Sequence, residues 1–334
     1  VLTGNGDFDA RTDFGESIVK LEYTPPTARA AGSLRAVDWW TPWTDDGRTG
    51  GNAEGETADH ALPGRPTNFR KDAHLARSLG PDAAANFGAW GDQDFGSAGP
   101  VLAPAQGVVL ASNKDGILYT ARMQNLGRTQ PGDLEPANTA GNYAKLRVPP
   151  IYYTYYPGPL TAAPANVTDL NFWGANRTHH LHGTPVLWQS AAHGWVHYCW
   201  GENGNLRAWS LASAGESTYL ACSAEVASAE AAIPLGGMPG GMITLSANGM
   251  ADGVIWASIP YGDANSSVSA GRFLAYDAAA FGRYADGSGS IPVLWDSQAW
   301  AWQFSHNKFN RPVVWNGKIF LPTYDGSVWV LGLA

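Results

Sequence analysis

The chain has 334 residues and a net charge of −8 at neutral pH, and only 15% of its residues are charged, against about 25% in an ordinary soluble domain. That scarcity excludes long helices laced with surface ion pairs, and the acidic balance excludes a nucleic-acid partner, because phosphate binding needs a basic face. No apolar run approaches the ~20 residues of a membrane-crossing helix, while 40 Gly, 22 Pro and 15 Trp point to many turns and much flat apolar surface.

In chain order, Val1–Asn5, Glu16–Tyr23 and Arg35–Trp40 read as strands, rich in β-branched and aromatic residues. Between the first two, Asp7, Asp9 and Asp13 supply the ligand type of a Ca²⁺ loop without the spacing of an EF-hand. A structural Ca²⁺ and a solvated acidic turn are both open there. Residues 43–96 then form a loop of about fifty residues, a length that is usually functional or disordered. Asp72–Leu79 suits one or two helical turns, and Asp92 and Asp94 precede the turn at Phe95-Gly96-Ser97. These two carboxylates can share a face toward a ligand, or Asp94 can cap the turn through backbone N–H groups.

Residues 100–122 give strand, Gly turn, strand, Asp115-Gly116 turn, strand. A second long excursion, 124–181, carries Pro149-Pro150 and the aromatic run Tyr152, Tyr153, Tyr155 and Tyr156. It ends in His179-His180-Leu181-His182. In an extended chain His180 and His182 project to one face, where two neutral imidazoles can share a metal with His193, His197 or a carboxylate of the long loop as a third ligand. The other option for these histidines is hydrogen bonding to the loops that join neighbouring sheets.

Thr184–Gln189, Trp195–Trp200 and Leu206–Leu211 read as three antiparallel strands with turns at Gly194 and at Glu202–Asn205. The pattern recurs at 242–277, with a fourth strand at 291–297, and again at 309–333, where Asn316-Gly317 and Asp325-Gly326 mark the turns. Small twisted sheets that repeat along a chain are unstable singly and bury one another's faces when stacked radially. The expected fold is an all-β propeller of four-stranded antiparallel blades, forming one domain over 1–334 with the inserted loops 43–96 and 124–181. About five blades are visible, which suits an incomplete ring of seven or eight whose remainder, or another chain, completes it.

Cys199 falls in the second strand of its blade and Cys222 in the fourth, so two strand spacings, about 9.6 Å, separate them. That exceeds the ~7 Å reach of a disulfide, and buried thiols are expected. Surface rings at Trp39, Trp40, Trp43, Trp300 and Trp302 suit sugar faces, protein interfaces or packing between blades alike.

Several segments resemble the quinoprotein-like (PQQ-like) propeller superfamily: Val1–Gly6 (VLTGNG), Glu16–Glu22 (ESIVKLE), Trp40–Gly47 (WTPWTDDG), Asn113–Leu118 (NKDGIL) and Arg272–Asp277 (RFLAYD). Asp92–Pro100 and Asn316–Ile319 are similar to segments of uncharacterised secreted bacterial and fungal members, whose C-terminal portion the chain looks like. The resemblance implies a secreted or periplasmic protein. It further implies that Asn5 would help hold Ca²⁺ beside a PQQ cofactor, with Asp45 or Asp46 as the catalytic base. The vicinal cysteine pair of many such enzymes and a Cys-x-x-Cys-His haem motif are both missing from this sequence.

Two functions fit these observations. One is a module that binds a carbohydrate, another small molecule or a protein partner; the other is a PQQ- or metal-dependent oxidoreductase acting on alcohols or sugars.

Overall fold

The computed structural model describes residues 1–4, 10–15, 17–40, 43–45, 69–71, 95–112, 118–128, 181–202, 205–214, 217–227, 238–262, 264, 267–280, 282–283, 289–300 and 302–332. Regular structure within them is almost entirely β-strand in small antiparallel sheets, and helix is confined to 3-10 turns such as Pro104–Gln106 and Ser297–Trp300. The described part of the chain is therefore all-β, as the composition implies. Among the described residues no helix is long and apolar enough to cross a membrane. The helical turns expected at Asp72–Leu79 lie outside the described residues.

β1 (Ile18–Thr24) pairs antiparallel with β2 (Ser33–Trp40). The N-terminal residues run along the other side of β1: Leu2 bridges Ile18, and the Val19 N–H donates to the Val1 carbonyl at 2.9 Å. Inside the stretch read as a single loop, β3 (Trp43–Asp45) pairs with β4 (Phe69–Lys71), so that excursion contains a strand pair. β5 (Val101–Ala103), β6 (Val108–Ser112) and β7 (Leu118–Arg122) make the next sheet. The turn from β5 to β6 closes where Gly107, at φ 69°, donates its N–H to the Pro104 carbonyl.

Asp38 is the staple of this half. It is 8% exposed, and its two carboxylate oxygens accept the Leu126 N–H at 2.7 Å and the Trp39 N–H at 3.0 Å. Arg128 donates to the Val37 carbonyl at 2.8 Å while its guanidinium lies over the Trp39 ring. The segment after β7 is thereby pinned along β2.

Next comes a four-stranded sheet made from β8 (Val186–Ser190), β9 (Gly194–Cys199), β10 (Arg207–Ala214) and β11 (Ser217–Ala227), in that spatial order. β12 (Met242–Asn248), β13 (Ala251–Pro260) and β14 (Ala270–Asp277) follow. A two-residue pairing of β15 (Gly282–Arg283) with β16 (Gly289–Ser290) interrupts the chain before β17 (Val293–Asp296) joins the outer edge of β14. β18 (Phe304–Ser305) pairs with β14 through Ala270 and Gly271. The last sheet is β19 (Val313–Trp315), β20 (Lys318–Pro322) and β21 (Val328–Gly332). By their contacts the elements fall into two units, β1–β7 and β8–β21.

Within the second unit the sheets stack face on face in chain order, because alternate side chains leave each strand on opposite sides. On β9, Val196 and Tyr198 point into a core shared with Ile255, Ala257 and Ile259 of β13 and Leu274 and Tyr276 of β14. The intervening residues of the middle sheet, Trp256 and Phe273, face the other way. There they pack with Ile319 and Leu321 of β20. The middle sheet is thus apolar on both faces and covered on both, as the repeat reading requires. Cys199 and Cys222 sit on β9 and β11 with β10 between them, and Cys199 is a buried thiol.

Close approach sets the spacing of the first pair of sheets. A Cβ on Gly253 would stand 2.6 Å from the Trp188 ring. That ring is held in place, because its indole N–H donates to the Gly249 carbonyl at 2.8 Å. Gly253→Ala should therefore cost about 2 kcal/mol through overpacking, seen as a lower urea midpoint with an unchanged m-value; an unchanged midpoint would mean that the ring has room to move.

Candidate functional site

Three of the sequence-derived site residues, Asp13, Asp45 and His182, fall among the described residues. Asn5, Asp7, Asp9, Asp46, Asp92, Asp94 and His180 lie outside them. The Asp13 carbonyl accepts the Ala10 N–H at 3.3 Å, and its carboxylate accepts the Thr12 hydroxyl at 2.8 Å, so the described end of the acidic loop is a self-bonded turn. Asp45 ends β3, opposite Phe69 of β4.

His182 is brought to a partner that the sequence reading assigned only to a turn. Its Nε2 lies 3.3 Å from Oε1 of Glu202, and the two side chains are 1% and 3% exposed. Three backbone segments are pressed together around them. A Cβ on Gly240 would meet the Trp200 carbonyl and the Glu202 N–H within about 3 Å, and the Gly241 N–H donates to the Trp200 carbonyl at 3.1 Å. The edge of the Phe309 ring closes the site above His182. A carboxylate so deep needs a cationic or hydrogen-bonding partner, and the imidazole is the group placed beside it. The pair joins the entry to β8 with the exit from β9.

Three other histidines lie in the second unit, His193 half-buried and His197 and His306 buried. His193, one of the suggested third ligands, places Nε2 at 3.0 Å from the Ala279 carbonyl, tying the turn after β8 to the loop after β14. His197 is fully buried on β9, and burial alone pushes its pKa down to about 3. His306 sits with Nδ1 at 3.2 Å from the Ser258 hydroxyl, and burial pushes its pKa down to about 4. Among the described residues no three His, Cys, Asp or Glu side chains converge as a metal site requires.

The accessible chemistry lies instead on the last sheet. Ile319, Leu321, Val314 and Leu331 face the middle sheet. The opposite face carries Val313, Phe320 and Val330 side by side in register across β19, β20 and β21. Beside them Trp315 is 69% exposed, and Val313, Val328 and Val330 are each more than half exposed. Around the edge of β21 lies a groove of about 330 Å³ lined by Trp295, Trp300, Trp302, Trp329 and Leu331. Trp302 is its hub, with ring centroids 5.4 Å from Trp329 and 6.3 Å from Trp295. Trp300 and Trp302 were legible as surface aromatics; Trp315, Trp329 and Val330 read only as strand residues. Nothing local in the sequence distinguishes a covered apolar strand from a bare one.

No protein-family model matches the chain, and no curated protein matches it.

The two depressed histidines make stability depend on acid. Between their folded pKa values and the ordinary value near 6.5, the unfolded chain takes up protons that the folded chain refuses. Stability from this source is complete above pH 6.5 and is lost as pH falls toward 4 and then 3. Each group contributes a slope of about 1.4 kcal/mol per pH unit. Urea melts at pH 6.5 and pH 5.0 should show this loss, with His306→Gln removing about half of it; a flat profile would mean that these imidazoles are hydrated.

Proposed function

We propose that the chain is a section of a quinoprotein-like β-propeller and works as a binding module outside the cytoplasm, with the bare face of its last sheet as the surface that receives a partner. The row Val313–Phe320–Val330, with Trp315 beside it, carries this proposal. A contiguous apolar patch on a sheet marks an interaction surface, and here it lies next in a stack whose middle sheet is covered on both faces. The partner is another sheet of the same kind, from the rest of the ring or from a second protein. Three sheets that follow one another in chain order, with short turns such as Asn316-Gly317 between strands of the same sheet, also favour a propeller over two separate sandwiches. The secreted or periplasmic setting rests on the resemblance of the quoted segments to secreted propeller proteins.

Hydroxyl-radical footprinting tests the proposal. Trp315 and Val330 should label several-fold less in the protein isolated with its partners from its own cells than in the purified 334-residue chain. Equal labelling in both preparations would contradict a covered face.

A further inference from the structure

The chain that runs from β18 to β19 connects the middle sheet to the last one, and its first residues are tied to both. Phe304 and Ser305 pair with Gly271 and Ala270 at the start of β14. The His306 N–H donates to the Ser269 carbonyl at 2.8 Å, while the Ser305 carbonyl accepts the Tyr324 N–H from the turn after β20 at 3.0 Å. One short segment thus holds the ends of two sheets together. His306 is the ionisable side chain at this junction. It is 2% exposed, and its Nδ1 faces the hydroxyl of Ser258 on β13, itself buried. Ser258 lies on the side of β13 that Trp256 takes toward the last sheet. Thr323, just past β20, is buried as well.

This site suits a neutral imidazole and not an imidazolium. Nε2 meets no hydrogen-bond partner among the described residues, so an ionised ring would bury both a charge and an unpaired N–H. The surrounding groups do not offset that charge. Ser258, Ser269 and Thr323 are neutral, and the Asp325 carboxylate accepts the Thr323 hydroxyl and the Ser327 N–H within its own turn. Arg272 and Asp296 are paired with each other, and the Lys308 ammonium lies over the Phe309 ring. Burial is the single cause that holds the His306 pKa down, to about 4. The connecting chain is also strained: Phe309 has φ 67°, a left-handed backbone that bulky residues avoid.

We propose that His306 is an acid-released latch: once ionised it leaves its place between the sheets, draws residues 304–306 off β14, and frees β19–β21 while the middle sheet stays folded. The opened form takes its proton near the ordinary value of 6.5 and the closed form only near 4. Closure is therefore fully favoured above pH 6.5 and weakens as pH falls toward 4. Asp325 is held below the ordinary carboxylate range by the Thr323 hydroxyl, so it keeps its charge across this window.

Amide exchange of the 334-residue chain, corrected for the pH dependence of intrinsic exchange, reads the latch. From pH 7.5 to 5.0 the opening equilibrium of β20 should rise about 25-fold, the ratio set by pKa values near 6.5 and 4. Amides of β13 should remain far better protected at pH 5.0. His306→Gln keeps a neutral polar side chain and should flatten the rise. In the unaltered protein the His306 ring, followed by NMR, should titrate well below 6.5. An opening of β20 that ignores pH would overturn the proposal, as would the same rise in His306→Gln. A single opening free energy shared by β20 and β13 at pH 5.0 would place the loss in global unfolding and overturn it too. A ring that titrates near 6.5 in the closed form would do the same, and this measurement decides where the variant does not fold.

Discussion

A sheet that is apolar on both faces has to be covered twice, and the middle sheet of the second unit is built under that constraint. On β13 and β14 the side chains divide cleanly. Ile255, Ala257, Ile259, Leu274 and Tyr276 go to one side, and Trp256 and Phe273 go to the other. Charged residues on these strands are few, and Arg272 of β14 and Asp296 of β17 are paired with each other, in keeping with a chain so poor in charge. Burial of this kind contributes about 25 cal/mol per Å² of apolar surface removed from water. The neighbouring sheets are therefore held by the same side chains that make the middle one insoluble alone. The tryptophans fill the wider spaces: Phe273 stacks on Trp256 and meets Trp295 and Trp302 edge-on, so one ring anchors an aromatic cluster between two sheets.

Polar groups inside the stack serve the same end. Tyr198 sends its hydroxyl across to the Ala278 carbonyl at 2.8 Å, and burial, with the Asp277 charge adding to it, holds the phenol well above its usual pKa. His193 reaches the Ala279 carbonyl from the other end of β9's leading turn. The His182–Glu202 pair fixes the chain where it enters and leaves the sheet of β8–β11. These are ties within the second unit, and His182 and His193, which the sequence offered as metal ligands, take part in them.

What could be read from the chain followed from local rules. Alternating apolar strands punctuated by Asn-Gly and Asp-Gly located all three large sheets of the second unit, and the turns use the expected backbone, with Asn316, Gly317 and Gly326 at positive φ. The fourth strand of the middle sheet was legible from Ile291–Ser297, although it is shorter, ending at Asp296 before a 3-10 turn. The pairing of β3 with β4 was not legible, since strands of three residues in a Gly- and Asp-rich stretch carry too little pattern. His182 stood out by its neighbours, yet Glu202 looked like an ordinary turn residue, because contact between them depends on how two chain ends cross. The bare face of β19–β21 was hidden for the same kind of reason. Val313, Phe320 and Val330 follow the same alternation as covered residues, and coverage is a property of the next layer.

Stacking on both faces, more than the pairing within any one sheet, sets stability along the second unit. Native-state hydrogen exchange measures it directly. Amides of β13 and β14 should exchange only through global unfolding, while those of β19 and β21 should open locally at a small fraction of that free energy. Exchange of the last sheet as slow as that of the middle one, in the chain alone, would contradict the account.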